Sequence, residues 1–110
     1  RDFYFQVHDL ARYAVIEWCG VPIGRLYADF RDHEIRILDF MLLPEVRGKQ
    51  IGAIVLRGLC GAAAADAKPV TLSVGPLNRR ARVFYERHGF EASGVLNGMI
   101  EMIWRPAPPR

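Results

Sequence analysis

The order of predicted elements along the chain indicates a mixed α/β fold, in which helices pack on a central sheet. Three observations lead to this expectation. Residues 3–43 are dominated by strand-forming patterns, apolar residues recur at helical intervals from residue 51, and residues 91–104 have the pattern of a hairpin. The 110 residues suffice for one domain, and residues 105–110 are expected to form a frayed tail.

Three strands are predicted near the N-terminus. Residues 13–18 and 26–30 are rich in strand formers and flank a turn. Apolar residues alternate within residues 3–7, which favours a strand, although the spacing of residues 3, 7 and 10 also fits a helical stripe. We therefore expect a strand that precedes a hairpin.

A central strand and the first helix come next. Residues 35–43 are almost continuously apolar, as in a strand buried on both faces, and Pro44 ends this run. A helical spacing then begins at residue 51 and ends before Pro69. Its predicted apolar face consists of Ile51, Val55, Leu59 and Ala62.

The C-terminal half contributes a strand, a helix and a hairpin. Residues 70–74 form a short strand pattern, and residues 79–88 follow as a helix with Asn78 as its N-cap. Gly89 is placed to end that helix. The Asn-Gly pair at residues 97–98 is a strong signal for a tight hairpin turn.

Composition and charge limit the class of protein. Apolar residues make up 51% of the chain and charged residues 25%, the balance of a globular domain. No apolar run reaches the ~20 residues that span a bilayer, and no signal-peptide pattern opens the chain. The formal charge of +3 suits a polyanionic ligand but is too small to indicate nucleic acid. Cys19 and Cys60 lack ligand-like spacing, so we expect free thiols in the cytoplasm and no metal site.

The segment between the central strand and the first helix carries the strongest functional signal. A helix N-terminus offers unpaired N–H groups and the positive end of its dipole, and glycines allow a phosphate to approach the backbone. This segment is therefore predicted to bind a pyrophosphate, although a helix-start turn with a solvated arginine and lysine has the same pattern. Its residues are Arg47, Gly48, Lys49, Gln50, Ile51 and Gly52.

Together with a second motif, this segment resembles the GCN5-related N-acetyltransferase (GNAT) superfamily. The second motif, Asn-x-x-Ala-x-x-x-Tyr-x-x-x-Gly-Phe, runs from Asn78 to Phe90, and the resemblance covers residues 13–104. It implies a mixed, mostly antiparallel sheet flanked by helices. It also implies transfer of an acetyl group from acetyl-CoA to a primary amine in a ternary complex, without a metal.

The resemblance implies roles for single residues. The family's turn has the form Arg/Gln-x-x-Gly-x-Gly/Ala, so Arg47 and Gly52 match while Gln50 replaces the usual middle glycine. A Cβ is unfavourable there by roughly 1 kcal/mol if the backbone has positive φ. In the family the end of the preceding strand exposes backbone groups to the acetyl carbonyl and the pantetheine arm, and Phe40, Met41, Leu42 and Leu43 match that stretch. The resemblance implies that the backbone N–H of Met41 or Leu42 binds the carbonyl oxygen.

Tyr85 matches the tyrosine that protonates the departing thiolate of coenzyme A. It follows Asn78 by two helical turns, so both residues can line one cofactor cleft. Tyr85 could instead pack at the helix–sheet interface, and Asn78 could be only a cap. Asp39 and then Glu34 are candidates for the general base. For Asp39 a structural role is favoured, as the partner of Arg36, Arg25 or a backbone donor.

Other features leave alternatives open. The arginines at positions 79, 80, 82 and 87 could attract the ribose 3′-phosphate, although a solvated face is favoured. The helical layer that family members carry before residue 13 is reduced or missing here, which would expose apolar sheet surface and favour a homodimer. A truncated, non-catalytic acyl-CoA-binding domain is the second hypothesis, and a small nucleic-acid-binding module is the third.

Overall fold

The computed structural model describes residues 3–8, 13–18, 20–48 and 50–108. These residues form seven strands and two α-helices, with a short 3-10 turn at Pro44–Val46. In chain order the elements are β1 (Phe3–His8), β2 (Tyr13–Trp18), β3 (Val21–Phe30), β4 (Ile35–Leu42), α1 (Ile51–Ala65), β5 (Val70–Val74), α2 (Arg79–Arg87), β6 (Glu91–Leu96) and β7 (Met99–Trp104). No helix within the described ranges is long and apolar enough to cross a membrane.

The strands form one sheet in the order β1-β2-β3-β4-β5-β7-β6. Only β4 and β5 pair in parallel, and every other neighbouring pair is antiparallel. The predicted mixed, mostly antiparallel sheet is therefore confirmed. The strand predicted at residues 3–7 is also confirmed, as β1.

β3 is longer than the alternation of its side chains predicted. It begins at Val21 rather than at residue 26, because the chain reverses immediately before it, where Gly20 has φ +80°. The second predicted turn has its expected place, since Asn97 and Gly98 both have positive φ and join β6 to β7. Positive φ at both central residues is what a type I′ hairpin turn requires.

Both helices pack against the same face of the sheet and share one core with it. Alternate residues of the central strands point into this core, including Leu26, Ile37 and Leu72. The helical face predicted for α1 is correct except at its end, where Ala63 is buried and Ala62 is exposed. Cys60 is a free, buried thiol; Cys19 lies outside the described residues, and the cytoplasmic location stays a prediction.

The opposite side of the sheet, which we call the open face, is covered by neither helix. β4 was predicted to be buried on both faces, and this is wrong: Leu38 is 50% exposed and Met41 39% exposed. Both helices lie on the core side, so within the described residues no helix covers the apolar side chains of β4 that point away from the core. The strand is nevertheless central, because β3 and β5 flank it.

Candidate active site

The sheet opens between its two parallel strands. β4 pairs with β5 only at Ile35 with Val70 and at Arg36 with Thr71, although β4 continues to Leu42 and β5 to Val74. Beyond this joint the two strands are no longer hydrogen-bonded to each other. We call the resulting gap the fork. It opens toward the turn that follows β4.

A β-bulge turns the backbone of β4 toward the fork. Tyr27 pairs with Asp39 but Ala28 pairs with Ile37, so Leu38 is the extra residue. After the bulge, the N–H of Leu43 donates to the Ile23 carbonyl of β3 at 2.8 Å.

Backbone groups of successive strand residues point to opposite edges. Because the Leu43 N–H points to β3, the N–H groups of Leu42 and Phe40 point away from it, into the fork. Leu42, one of two residues predicted to bind the acetyl carbonyl, thus presents its amide there, whereas the Met41 amide points to β3.

The turn after β4 has the backbone of an anion-binding cradle. Gln50 is the N-cap of α1 and adopts the left-handed conformation, with φ 65° and ψ 9°, and Gly48 has φ 80°. No side chain within the described residues caps α1, so its first N–H groups are available to a ligand. A glycine would therefore suit position 50 better than the glutamine found there. Lys49, also predicted to bind the cofactor, lies outside the described residues.

Gly52 has a packing role that the sequence did not indicate. A Cβ at this position would lie 3.3 Å from Phe84 of α2 and 3.4 Å from Leu42 of β4. The absence of a side chain thus lets the start of α1 approach both neighbours closely. Ile51, predicted with it as part of the cradle, is buried in the core, so only its backbone can serve a ligand.

A cleft of about 1070 Å³ joins the fork to this turn and to α2. β4 contributes Phe40, Met41 and Leu42 to its wall, and Leu43 is exposed beside it. Five arginines line the cleft and make no ion pair within the described part of the chain. They are Arg47, Arg57, Arg79, Arg80 and Arg87.

The arginine cluster of α2 is divided by this cleft. Arg79, Arg80 and Arg87 line it, whereas Arg82 is bonded to Glu86 at 3.2 Å and is not part of the lining. Arg79, Arg80 and Arg87 are also exposed, as the favoured solvated face predicted, but of the cluster only Arg82 is paired with an acidic residue among those described. Sequence analysis did not identify Arg57 as a cleft residue, because nothing in the sequence around an exposed arginine on a helix shows that it lines a cleft.

Tyr85 lies at the inner wall of the cleft. It is 8% exposed and packs edge-on against Phe84 and Phe90, with ring centroids 5.2 and 5.4 Å away. Burial, and secondarily the negative charge of Asp39, raises the pKa of Tyr85 to about 12. The phenol is therefore protonated at all physiological pH values.

The Tyr85 hydroxyl is open to the cleft. It forms no hydrogen bond with any of the described residues. No side-chain polar atom in these residues is both fully buried and without a partner. The hydroxyl must therefore retain contact with the cleft that Tyr85 lines. Asn78 lines the same cleft while its Oδ1 accepts a hydrogen bond from the Ala81 N–H at 3.2 Å, which confirms the predicted cap.

The two candidate bases occupy different places. Asp39 lies just past the bulge on the open face, half-exposed, and accepts a hydrogen bond from Arg25 Nε. Glu34 lies at the other end of β4, where it accepts hydrogen bonds from Thr71 Oγ1 at 2.8 Å and Arg31 Nη1 at 3.0 Å. Glu34 is not among the residues that line the cleft. Of the two, only Asp39 is near Tyr85.

His88 is a further member of the cleft. It is half-buried and lies edge-on to Phe84, with the ring centroids 5.0 Å apart. Burial and the positive charge of Arg57 lower the pKa of His88 below its ordinary value. Both effects favour the neutral form of the imidazole.

A family model described as the acetyltransferase (GNAT) family matches residues 1–90. The chain belongs to this family. The match covers β1 to the end of α2, and hence the fork, the turn at residues 47–52 and Tyr85. A comparison of the sequence with curated proteins finds no match.

Solved structures share the fold at low sequence identity. PaiA N-acetyltransferase from Thermoplasma acidophilum, in complex with coenzyme A, is 19% identical with a TM-score of 0.78 over 84% of this chain and 59% of its own. Naa50 from Arabidopsis thaliana, in complex with the bisubstrate analogue CoA-Ac-MVNAL, is 16% identical with a TM-score of 0.73 over 83% and 70%. A GNAT family acetyltransferase from Elizabethkingia anophelis with acetyl-CoA bound is 13% identical with a TM-score of 0.74 over 84% and 74%. The present chain thus spans about three fifths of the Thermoplasma protein.

Proposed function

We propose that this domain transfers the acetyl group of acetyl-CoA to a primary amine by direct attack in a ternary complex. The observation that carries the proposal is that one cleft joins three groups suited to the reaction. These are the free helix N-terminus after the turn, the unpaired amides of β4, and the unpartnered Tyr85 hydroxyl. The coenzyme A and acetyl-CoA complexes of the Thermoplasma and Elizabethkingia proteins support it.

The diphosphate would bind at the cradle, which we define as residues 47–52. Backbone N–H groups at the start of α1 supply hydrogen bonds and the positive end of the helix dipole. The unpaired arginines add full charges on both walls of the cleft. Arg47 comes from the cradle itself, whereas Arg79 and Arg80 come from the first turn of α2. Opposite walls can therefore contact different phosphates of one cosubstrate.

The pantetheine arm and its thioester would lie in the fork. There the Phe40 and Leu42 amides face a gap that β5 leaves unfilled. As the amine nitrogen attacks, the carbonyl oxygen gains negative charge, and a fixed N–H aimed at it stabilises the transition state. We assign this role to Leu42, with Phe40 as its neighbour on the same edge.

Collapse of the tetrahedral intermediate completes the transfer. The new C–N bond remains, the C–S bond breaks, and coenzyme A leaves as a thiolate. Tyr85 donates its phenolic proton to that thiolate, because its raised pKa keeps it protonated until the sulfur charge develops. The acceptor ammonium loses one proton to water before it attacks, with the Asp39 carboxylate beside the fork as the nearest proposed relay. The second proton, which the nitrogen loses as the amide forms, returns through water to the Tyr85 phenolate and restores the acid.

The test is thiol release from acetyl-CoA by the purified domain. Acceptors should include an N-terminal peptide, a polyamine, an aminoglycoside and free amino acids. We expect release that depends on both acetyl-CoA and one class of amine, with the acetylated product seen by mass spectrometry. No heat of binding with coenzyme A at millimolar concentration would overturn the proposal.

A non-catalytic acyl-CoA-binding domain is the second candidate. One observation favours it: Gln50 occupies a left-handed position that suits glycine. Calorimetric binding of acetyl-CoA without thiol release on any acceptor would support it. Release on one acceptor would eliminate it.

We also propose that two copies associate through the open face. Leu38 and Met41 are exposed there beside the fork, where neither helix covers the sheet. Sedimentation velocity between 1 and 100 μM should show a concentration-dependent dimer. A monomer at all concentrations would contradict this.

A further inference from the structure

The joint from which the fork opens is bridged by side chains on the open face. Arg36, the last residue of β4 that pairs with β5, extends its guanidinium across β5 to β7. Nη1 donates to Glu101 Oε1 at 2.7 Å, and Nη2 donates to Ser73 Oγ at 2.6 Å and to Glu101 Oε2 at 3.3 Å. Ser73 also donates to Glu101 Oε2. Three strands are thus linked by a single guanidinium.

These side-chain hydrogen bonds reach further along β5 than the backbone pairing of β4 with β5 does. The last backbone pair joins Arg36 to Thr71, but the guanidinium bonds to Ser73, two residues further along β5. Ser73 is itself opposite Glu101 in the β5–β7 ladder. The Arg36 side chain therefore connects β4 to β5 and β7 beyond the last backbone pair between β4 and β5.

Two features of the cluster make it stiff. The side chains of Arg36 and Glu101 are each only 18% exposed, and their contact is a two-point pairing of a planar guanidinium with a carboxylate. The hydrogen bonds from Arg36 hold the pKa of Glu101 below its usual range, so the carboxylate stays ionised at neutral pH. A second hydrogen bond, from Thr71 Oγ1 of β5 to Glu34 at 2.8 Å, connects the same two segments just before β4 begins.

The bulge acts against this attachment. Leu38 is inserted two residues after Arg36, and a bulge bends the strand that contains it. β4 is therefore held at Arg36 and redirected at Leu38. The angle at which it leaves β5 depends on both.

We infer that Arg36, Ser73 and Glu101 form a clamp that sets the opening of the fork for a pantetheine thioester. The inference rests on the proposed function, since it assumes that the cosubstrate's arm lies in the fork. The three residues are positioning residues, because they act through the β4 backbone and not on the reacting atoms. Glu34 belongs to the same joint, which gives its carboxylate a structural task.

The test compares two ligands that share the nucleotide end. Coenzyme A occupies the cradle and the fork, whereas adenosine 3′,5′-bisphosphate reaches only the cradle and the arginines. Calorimetry on Glu101→Gln and Arg36→Gln should show at least a tenfold loss of affinity for coenzyme A and less than a twofold loss for the bisphosphate. Arg36→Lys keeps the charge without the two-point contact and should be intermediate.

The matched control is Glu91→Gln on the neighbouring strand β6. It breaks the exposed ion pair to Arg105, 3.3 Å long, and should leave both affinities unchanged. If the Arg36 and Glu101 variants do not fold by circular dichroism, Ser73→Ala removes the two hydrogen bonds that the Ser73 hydroxyl makes with Arg36 and Glu101, without removing a charge. That variant should lose affinity for coenzyme A alone, by about threefold.

The outcomes separate the clamp from the proposed function. Folded variants with a lower melting temperature but an unchanged affinity ratio for the two ligands would overturn the clamp, since only stability would then depend on it. Equal losses for both ligands would overturn it as well. If the unmodified domain binds the bisphosphate but gains nothing from the pantetheine arm, the proposed function itself fails.

Discussion

On the cleft side of the sheet, five arginines surround an open groove and none has an acidic partner among the described residues. On the open face, Arg25 is bonded to Asp39, and Arg36 to Glu101. Both surfaces carry arginines, but only on the open face are these arginines paired with carboxylates. The difference extends to hydroxyls, because Tyr85 has no partner in the cleft while Ser73 is bonded within its cluster.

Arginines without an acidic partner and a hydroxyl without a hydrogen-bond partner, gathered on one surface, indicate where a ligand would supply the missing partners. A surface arginine without a carboxylate is individually unremarkable, because exposed ion pairs stabilise a protein by only about 0–1 kcal/mol. Five of them along one groove that ends at a free helix N-terminus form a site of concentrated positive potential. The open face, by contrast, uses its charges to hold strands together. The predictions below test this division.

The largest effect is expected at the unpartnered hydroxyl of the cleft. Tyr85→Phe removes the proposed proton donor and leaves the ring contacts with Phe84 and Phe90 in place. We expect turnover to fall about 100-fold, within the range of general acid catalysis, with little change in the affinity for acetyl-CoA. Steady-state kinetics and calorimetry measure the two quantities. Unchanged turnover would refute the acid role.

The same residue predicts a pH dependence of stability. The pKa of Tyr85 is raised to about 12 in the folded domain, whereas an unfolded chain has a tyrosine pKa near 10. The stabilisation that this difference represents is complete below pH 10 and is lost as the pH rises toward 12, because the unfolded state ionises first. Urea unfolding at pH 9 and pH 11.5 should show this loss, and Tyr85→Phe should reduce it.

A smaller but clear effect is expected from one unpaired cleft arginine. Arg47→Ala removes a charge-assisted contact to the diphosphate worth about 1.5–3 kcal/mol, which corresponds to a loss of about tenfold to a hundredfold in affinity. Calorimetry with coenzyme A measures it. Pantetheine without phosphates should bind the variant and the parent alike. Equal losses for the two ligands would show that Arg47 does not contact phosphate.

The cradle offers a variant that should improve binding. Gln50→Gly removes a Cβ at a left-handed position beside the proposed diphosphate, and the affinity for coenzyme A should rise severalfold. The backbone strain at Gln50, roughly 1 kcal/mol, is present with and without ligand and therefore does not change the affinity. The expected gain in affinity comes from the closer approach of the phosphate to the backbone. Weaker binding by calorimetry would count against the cradle.

The converse variant Gly48→Ala, at φ 80°, should lower the free energy of unfolding by about 1 kcal/mol.

The smallest effect is expected from the arginine of α2 that already has a partner. Arg82→Gln breaks an exposed ion pair with Glu86, which is worth about 0.3–0.5 kcal/mol at this helical spacing. The affinity for coenzyme A should change less than twofold. Arg79→Gln, on the same helix but in the cleft, should weaken it more. Equal losses in the two variants would mean that general attraction, and not contact, explains the basic cleft.

Much of the site was predictable where one short segment contains the whole signal. The Asn78 cap and the Asn-Gly turn at residues 97–98 follow from local geometry. The positive φ of Gln50 was raised only as a condition, because the resemblance places a glycine there. The order of strands and helices followed from the periodicity of apolar residues. That the cradle and Tyr85 serve one site was implied by the family resemblance, and both line the same cleft.

Other features could not be predicted, because they depend on contacts between distant segments. Arg36 and Glu101 are 65 residues apart, and neither position indicates the other. The exposure of Leu38 depends on a bulge that is defined only by its register with β3. Arg57 acquires its place in the cleft only when α2 lies opposite it.

The sequence by itself therefore determined the kind and order of the elements, the caps and turns between them, and the helix N-terminus suited to an anion. These depend on backbone dihedrals and side-chain periodicity within a few residues. The tertiary structure alone decided which charges are neutralised and which face the cleft. That choice is made when strands far apart in the chain become neighbours, since an ion pair forms only where the fold brings both partners within reach.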